Sequence, residues 1–119
     1  MEKNVFTRTF KIPKEHPALP GHFPGQAVVP GVVLLEQVEK QLLDAFQGYE
    51  IIKVTQAKFI HLVLPEQPVA MRIDIHPGTD TMAIKAKWRL TLEQDIVCAT
   101  GQFILAPIIE EMNSNDFST

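Results

Sequence analysis

The chain has 119 residues, of which 45% are hydrophobic, and these values predict a single soluble domain with an ordinary apolar core. Its formal net charge of -3 excludes the strongly basic balance that is typical of nucleic-acid binding or of attachment to a membrane surface. The one cysteine, Cys98, excludes an internal disulfide and a zinc site built on cysteines. The N-terminus lacks the pattern of a secretion signal, and apolar runs such as Val32–Leu35 are far too short to cross a membrane, so we expect a cytoplasmic protein.

The first half of the chain predicts a strand, a stiff loop and a helix. Residues 4–12 alternate between apolar and polar side chains, as a half-buried strand does. Residues 13–29 form a loop rich in proline and glycine, a composition that suits the placing of groups better than it suits a core. A helix is predicted from Pro30, where a missing N–H costs little, to about Gln47, with Gly48 as its stop.

The second half predicts an antiparallel sheet. Strands are expected at residues 50–60, 69–76, 82–92 and 96–106, and their alternation indicates one wet face. The fold class is therefore α+β, with the sheet wrapped around one long helix because the apolar arc of that helix is broad. We expect one domain over residues 1–112 and a frayed tail over 113–119. Dimerisation would bury further apolar surface.

His22 stands in the sequence Gly-His-Phe-Pro-Gly, inside the stiff loop. A neutral histidine is a suitable general base near neutral pH, and Phe23 with the prolines would keep its surroundings dry. The simpler interpretation is a loop histidine that is hydrogen-bonded to a backbone carbonyl. Taken without its neighbours, a single histidine favours this structural interpretation.

Glu36 lies on the second turn of the predicted helix, between Val32 and Leu43 on the helical wheel. A carboxyl group between apolar side chains is suited to donating a proton. The helical pattern alone favours a second interpretation, in which Glu36 belongs to the polar face and pairs with Lys40 one turn later.

Pro30 and Gly31 begin the helix, where backbone N–H groups have no partner and the helix dipole is positive. Gly31 has no side chain to keep a ligand away, so this end could polarise a carbonyl group. A base, an acid and such a donor together suit proton abstraction beside a carbonyl with loss of a hydroxyl. An ordinary helix start is the alternative for these two residues.

The segment from His22 to Glu36 resembles the signature of the β-hydroxyacyl-acyl-carrier-protein dehydratases of the FabZ/FabA type, which have the hot-dog fold. The resemblance implies that His22 and Glu36, fourteen residues apart, are the catalytic pair and meet across a dimer interface. It implies that the Gly31 amide, with that of Val32, holds the thioester carbonyl. It also implies an acyl tunnel lined by Phe23, Val33 and Phe59.

The resemblance further implies that an acyl carrier protein delivers the substrate on its phosphopantetheine arm and that no metal or other cofactor is needed. Residues 58–65 resemble, with lower specificity, the family's lysine-aromatic strand that leads to a Pro-Gly-Asp turn. Here that turn reads Pro65-Glu66-Gln67. Ala27 replaces a usual proline. The short chain and the lead-in before His22 are more similar to the small ApeI-like branch of aryl polyene and polyketide-like pathways.

The leading hypothesis is dehydration of (3R)-hydroxyacyl thioesters to trans-2-enoyl thioesters by a homodimer or by a heterodimer with a paralogous subunit. A hot-dog thioesterase and a non-catalytic, acyl-binding subunit of a heterodimer are the alternatives. The remaining singled-out residues receive ordinary interpretations: local hydrogen bonding for the other histidines, packing for the cysteine and tryptophan, and a solvated or carrier-binding stripe for three basic residues of the fourth strand (His16, His61, His76, Cys98, Trp88, Lys85, Lys87 and Arg89).

Overall fold

The computed structural model describes residues 4–17, 19, 28–77 and 82–109. They form strands and one helix in the predicted order, with bounds within two residues of those expected. The elements are β1 (Val5–Phe10), α1 (Gly31–Ala45), β2 (Tyr49–Phe59), β3 (Val69–Pro77), β4 (Ile84–Leu92), a short 3-10 turn (Glu93–Asp95) and β5 (Ile96–Pro107). The predicted tail over 113–119 and the end of the domain at 112 lie outside the described residues.

The five strands make one antiparallel sheet in the order β1-β3-β4-β5-β2. Alternate side chains of β3, β4 and β5 are buried on the side that α1 covers, which we call the inner face. The other side, the outer face, carries mostly charged and polar side chains. The predicted α+β class with one wet sheet face is therefore confirmed. The inner face and the helix share a core that includes Met71, Ile73, Trp88, Leu90, Phe103 and Leu105.

Helix α1 follows Pro30, whose extended backbone (ψ 150°) makes it the residue before the helix and not its first turn. Its buried residues are Val33, Leu34, Val38 and Leu42. One stripe along the helix is exposed and consists of Val32, Glu36, Lys40 and Asp44. This spacing of four residues places the stripe away from the sheet, so most of the helix circumference is covered, as the broad apolar arc predicts.

The far end of α1 is tied to the first strand by a polar contact. The guanidinium of Arg8 donates to Gln41 Oε1 and to Asp44 Oδ2, each at 3.1 Å. The helix ends at Ala45, two residues before the predicted end, and Gly48 follows with a φ of 91° that favours glycine. The contact joins the end of the helix to β1. The start of the helix lies beside the end of β2, where Phe59 approaches Gly31.

Strand β2 is an edge strand, and most of its length is exposed on both sides. Its exposed apolar side chains include Ile52, Val54 and Phe59, and the segment after it adds Ile60, Leu62 and Leu64. An unpaired edge with contiguous apolar side chains is typical of a protein–protein interface. The single chain thus leaves open the surface that the predicted dimer would need.

The turn after this segment is closed by Glu66, which has a φ of 67° and replaces the glycine of the family pattern. Its N–H donates to Ile12 O at 2.7 Å, and its carboxylate accepts from the Lys14 N–H at 3.0 Å. Lys11 Nζ lies 3.4 Å from the same carboxylate. The Lys14 N–H first, and then the Lys11 ammonium, hold the pKa of Glu66 below its ordinary value of 4.5.

We expect Glu66→Gln to lower the melting temperature at neutral pH and to have little effect in acid. The pKa of Glu66 is lower in the folded than in the unfolded chain, so its stabilisation is present above the ordinary value of 4.5 and is lost as the pH falls through the folded pKa. Thermal melts of both proteins from neutral to acidic pH should therefore converge. Glu50→Gln is the control, since Glu50 makes no ion pair with any residue in the described ranges. A difference in melting temperature between the wild-type protein and Glu66→Gln that stays constant with pH would contradict the expectation.

Candidate active site

The N-terminus of α1 presents unpaired backbone donors. Pro30 O accepts from the N–H groups of Val33 at 3.0 Å and Leu34 at 3.3 Å, which closes the first turn. The N–H groups of Gly31 and Val32 have no acceptor among the residues that the structure describes. They point out of the helix start at its positive end, where they can bind a carbonyl or carboxylate oxygen.

A pocket of about 200 Å³ lies beside these donors. Most of its lining is apolar, and it is formed by the helix start and by the segment that follows β2: Val29, Gly31, Leu34, Phe59, Ile60, His61, Leu62 and Val63. The Val29 N–H donates to Val63 O at 2.9 Å, which joins the two parts. A pocket with apolar walls and a few fixed donors is suited to a ligand with one polar group and an apolar remainder.

Phe59, the last residue of β2, covers Gly31. A Cβ atom on Gly31 would lie 3.1 Å from Cδ2 and Cε2 of the Phe59 ring, closer than ordinary contact. The absence of a side chain therefore allows the ring to approach the helix backbone. The ring is 46% exposed, so it can shift when the pocket is filled.

The structure brings together two of the residues predicted for the site. Gly31 and Phe59 line the pocket, whereas Val32 is 62% exposed outside it and Val33 is buried in the core. Leu34 takes the place in the pocket that the resemblance implied for Val33. His22 and Phe23 lie outside the described residues.

Glu36 lies on the exposed stripe of α1, one turn after Val32, and is not part of the pocket lining. Its carboxylate makes no hydrogen bond or ion pair with the described part of the chain, so the alternative pairing with Lys40 is not formed. Within one subunit the carboxylate faces solvent. Its catalytic role stays a prediction that requires another surface to cover the stripe.

His61 is a pocket residue that the sequence analysis missed. Its Nδ1 lies 2.9 Å from Leu62 O, so the predicted local hydrogen bond is confirmed. Because a carbonyl oxygen only accepts, Nδ1 is the donor in this bond. The available signal was its position two residues after Phe59, in the stretch that resembles the family.

The chemistry that these residues offer is acid–base and electrostatic. Cys98 is buried, and burial raises the pKa of its thiol, which agrees with packing and opposes a role as nucleophile. Across residues 4–17, 19, 28–77 and 82–109, no group of three or more His, Cys, Asp or Glu side chains is placed to hold a metal ion. No helix in this part of the chain is long and apolar enough to span a membrane.

Solved structures with this arrangement of sheet and helix define the fold. The (R)-hydratase from A. caviae involved in PHA biosynthesis matches with a TM-score of 0.73 and 12% identity, over 91% of this chain and 98% of that one. The dehydratase heterocomplex ApeI:P from Xenorhabdus doucetiae matches with 0.68 and 18%, over 88% and 89%. The fluoroacetyl-CoA thioesterase FlK matches with 0.70 and 14%, over 100% and 97%. The chain has the hot-dog fold.

The family model described as "ApeI-like: ApeI dehydratase" matches residues 1–102. The chain belongs to this family of hot-dog dehydratases, which confirms the resemblance drawn from the segment between His22 and Glu36. Among curated proteins none matches significantly.

Proposed function

We propose that this protein dehydrates (3R)-hydroxyacyl thioesters to trans-2-enoyl thioesters. The observation that carries the proposal is the apolar pocket at the start of α1, with the unpaired amides of Gly31 and Val32 beside it. Membership of the ApeI-like dehydratase family supports the reaction class. His22 and Glu36 occupy the signature positions of the base and the acid.

The reaction divides between three groups. His22 removes a proton from C2 of the acyl chain, and the Gly31 amide donates to the thioester carbonyl, which gains negative charge as that proton leaves. Glu36 protonates the hydroxyl on C3, so the C3–O bond breaks with release of water and the C2–C3 double bond forms. A donor aimed at such an oxygen contributes about 100- to 1,000-fold in rate in well-studied enzymes.

The substrate is carried by the phosphopantetheine arm of an acyl carrier protein, and its acyl chain lies along the apolar side of the pocket. Phe59 and Leu34 contact it first, because they flank Gly31. No cofactor takes part in this scheme. The pathway is fatty acid, aryl polyene or polyketide-like synthesis, in the cytoplasm.

A second subunit completes the site. The stripe with Glu36, the unpaired edge of β2 and the apolar side chains after it are all left exposed in the single chain. A partner that pairs with β2 would cover these surfaces and bring the His22 loop of one subunit to Glu36 of the other. The partner is a second copy or a paralogous hot-dog subunit, and the name of the ApeI:P heterocomplex supports the latter.

Hydrolysis of the thioester is the second candidate function, because the thioesterase FlK shares the fold over nearly the whole chain. To separate the two, the purified protein, alone and with a paralogous subunit, is incubated with a panel of 3-hydroxyacyl carrier proteins. Mass spectrometry then shows loss of one water from the acyl group if it is a dehydratase. Release of free thiol without dehydration would instead support the thioesterase, and neither product in any combination would contradict both.

Gly31→Ala tests the pocket directly. The added methyl group would press on the Phe59 ring at 3.1 Å, and this half-exposed ring can move aside, so we expect an almost unchanged melting temperature. The methyl group and the displaced ring then occupy the space where the thioester carbonyl would approach the helix amides. We expect kcat/KM for dehydration to fall by about ten-fold or more. A fall in melting temperature without a change in kcat/KM would contradict this placement of the carbonyl.

A further inference from the structure

Among the residues that the structure describes, the outer face of the sheet carries six basic side chains and two acidic side chains. Residues directly opposite each other in neighbouring strands share a face, so the register places these side chains together on β2, β3 and β4. We call this surface the basic face: Lys53, Lys58, Arg72, Lys85, Lys87 and Arg89, with Glu50 and Asp74. This surface has a net positive charge, although the net charge of the whole chain is -3.

Most of this charge is uncompensated. Arg72 Nε donates to Asp74 Oδ1 at 3.2 Å, and the other five cations form no ion pair with any residue that the structure describes. Arg72 also stands directly opposite Arg89, and like charges in that position destabilise a sheet. The fold keeps an arrangement that costs stability in the free protein, and a bound anionic surface would offset that cost.

A depression of about 250 Å³ lies at the centre of the basic face. Its side chains come from a polar row across the strands: Gln56, Asp74, Lys87, Arg89, Thr100 and Gln102. The Gln102 amide is held by Thr55 Oγ1 at 2.9 Å, so part of this lining is fixed. Every one of these side chains is exposed or half-buried, so the depression is too open to strip water from a small ion. It suits a carboxylate that a larger partner presents.

The composition of the basic face selects the class of partner. Trp88 also lines the depression, but it is 2% exposed and packs in the core, so the described part of the basic face offers no aromatic ring on which a nucleic-acid base could stack. Its large apolar side chains, such as that of Ile104, are half-buried and do not project for insertion into lipid. A second copy of the same face would bring like charges together. An acidic protein surface remains as the complementary partner.

We propose that the basic face docks the acidic surface of another protein, with a carboxylate of that partner between Lys87 and Arg89. The surface lies on the opposite side of the sheet from α1 and from the pocket at Gly31. A protein bound there leaves the pocket accessible, so docking goes beyond the proposed catalytic function and does not depend on it.

The test measures binding of a fluorescently labelled, glutamate-rich helical peptide by anisotropy at an ionic strength of about 0.15 M. The wild-type protein should bind the peptide, and added salt should weaken binding because exposed charges are screened. Lys87→Glu/Arg89→Glu should lower the affinity by about ten-fold or more. The matched control is Lys14→Glu/Lys40→Glu, which changes the net charge equally on other surfaces and should leave the affinity within about two-fold.

Absence of peptide binding, or equal losses in the two double variants, would overturn the proposal. Tighter binding of a single-stranded oligonucleotide or of phosphatidylserine vesicles than of the peptide would overturn it as well. Arg89→Thr supplies a second readout, because it removes the charge opposite Arg72 and places a good strand former on β4. We expect a higher melting temperature of the free protein together with weaker peptide binding, and a lower melting temperature would contradict the cost assigned to the cation pair.

Discussion

Glu36→Gln is expected to lower kcat for dehydration of a 3-hydroxyacyl thioester by about 100- to 10,000-fold, the usual range for loss of a general acid. The amide has nearly the same shape and cannot deliver a proton to the departing hydroxyl. Stability should change little, since Glu36 is exposed and makes no hydrogen bond with the described residues. Steady-state kinetics and a thermal melt check both expectations.

Glu39→Gln is the matched control, because it is the same substitution on the same helix three residues later. It should retain nearly full activity. Full retained activity in Glu36→Gln would remove Glu36 from the mechanism and return it to the solvated polar face. Equal losses in both variants would indicate a general effect of charge on α1.

A mixing experiment tests whether the acid acts across a subunit interface. His22→Ala and Glu36→Gln subunits are each expected to be inactive as homodimers. If the pair meets across the interface, a mixed dimer contains one intact site, and random re-association restores about a quarter of wild-type activity. If both groups of a site come from one subunit, mixing restores nothing, and the proposed division of the site between subunits is wrong.

The sequence predicts β3 and β4 well because each strand has one buried and one wet face, and a period of two is visible in the chain. Strand β2 shows no such contrast in its burial, since it is an edge strand whose inner side chains are uncovered in one subunit. Its apolar residues Ile52, Val54 and Phe59 would be explained by the partner and not by the core. The sequence pattern of β2 alone therefore cannot show that its apolar side chains face a partner subunit.

The helix start at Gly31 could be predicted because its chemistry is contained in neighbouring residues. The rest of the pocket could not, since His61 and Val63 reach it through a tertiary hydrogen bond from Val29 to Val63. The pocket is lined by Leu34 and not by the expected Val33, and the reason is geometric. Successive side chains of a helix are rotated by about 100°. A helical wheel drawn from the sequence does not give the rotation of the helix about its own axis relative to the sheet.

Gly101→Ala is expected to be the most destabilising of these substitutions. Gly101 stands directly opposite Trp88, whose indole crosses the space that a side chain would fill. A Cβ atom there would overlap Trp88 Cζ2 and would lie 2.8 Å from the backbone oxygen of Gln56. Trp88 is 2% exposed and packs on Phe103 with ring centroids 5.8 Å apart, so the indole has little room to move. We expect a loss of about 3 kcal/mol.

A loss of that size in a domain of this length lowers the melting temperature by about 10 °C, which calorimetry or a thermal melt resolves. Gly48→Ala is the control for the substitution itself: no atom lies within 4 Å of its added Cβ, and only the φ of 91° opposes it, so its cost should be about 1 kcal/mol. In a Trp88→Phe background the smaller ring leaves part of the space free, and the substitution also removes the buried Nε1, which has no hydrogen-bond partner in the described ranges. Gly101→Ala should then cost less, because the two positions are in contact and their effects are not additive. The remaining loss of stability comes from the contact with the Gln56 oxygen, which a substitution at position 88 does not move. If Gly101→Ala lowered the stability equally in both backgrounds, that backbone contact and not the indole would be the obstacle.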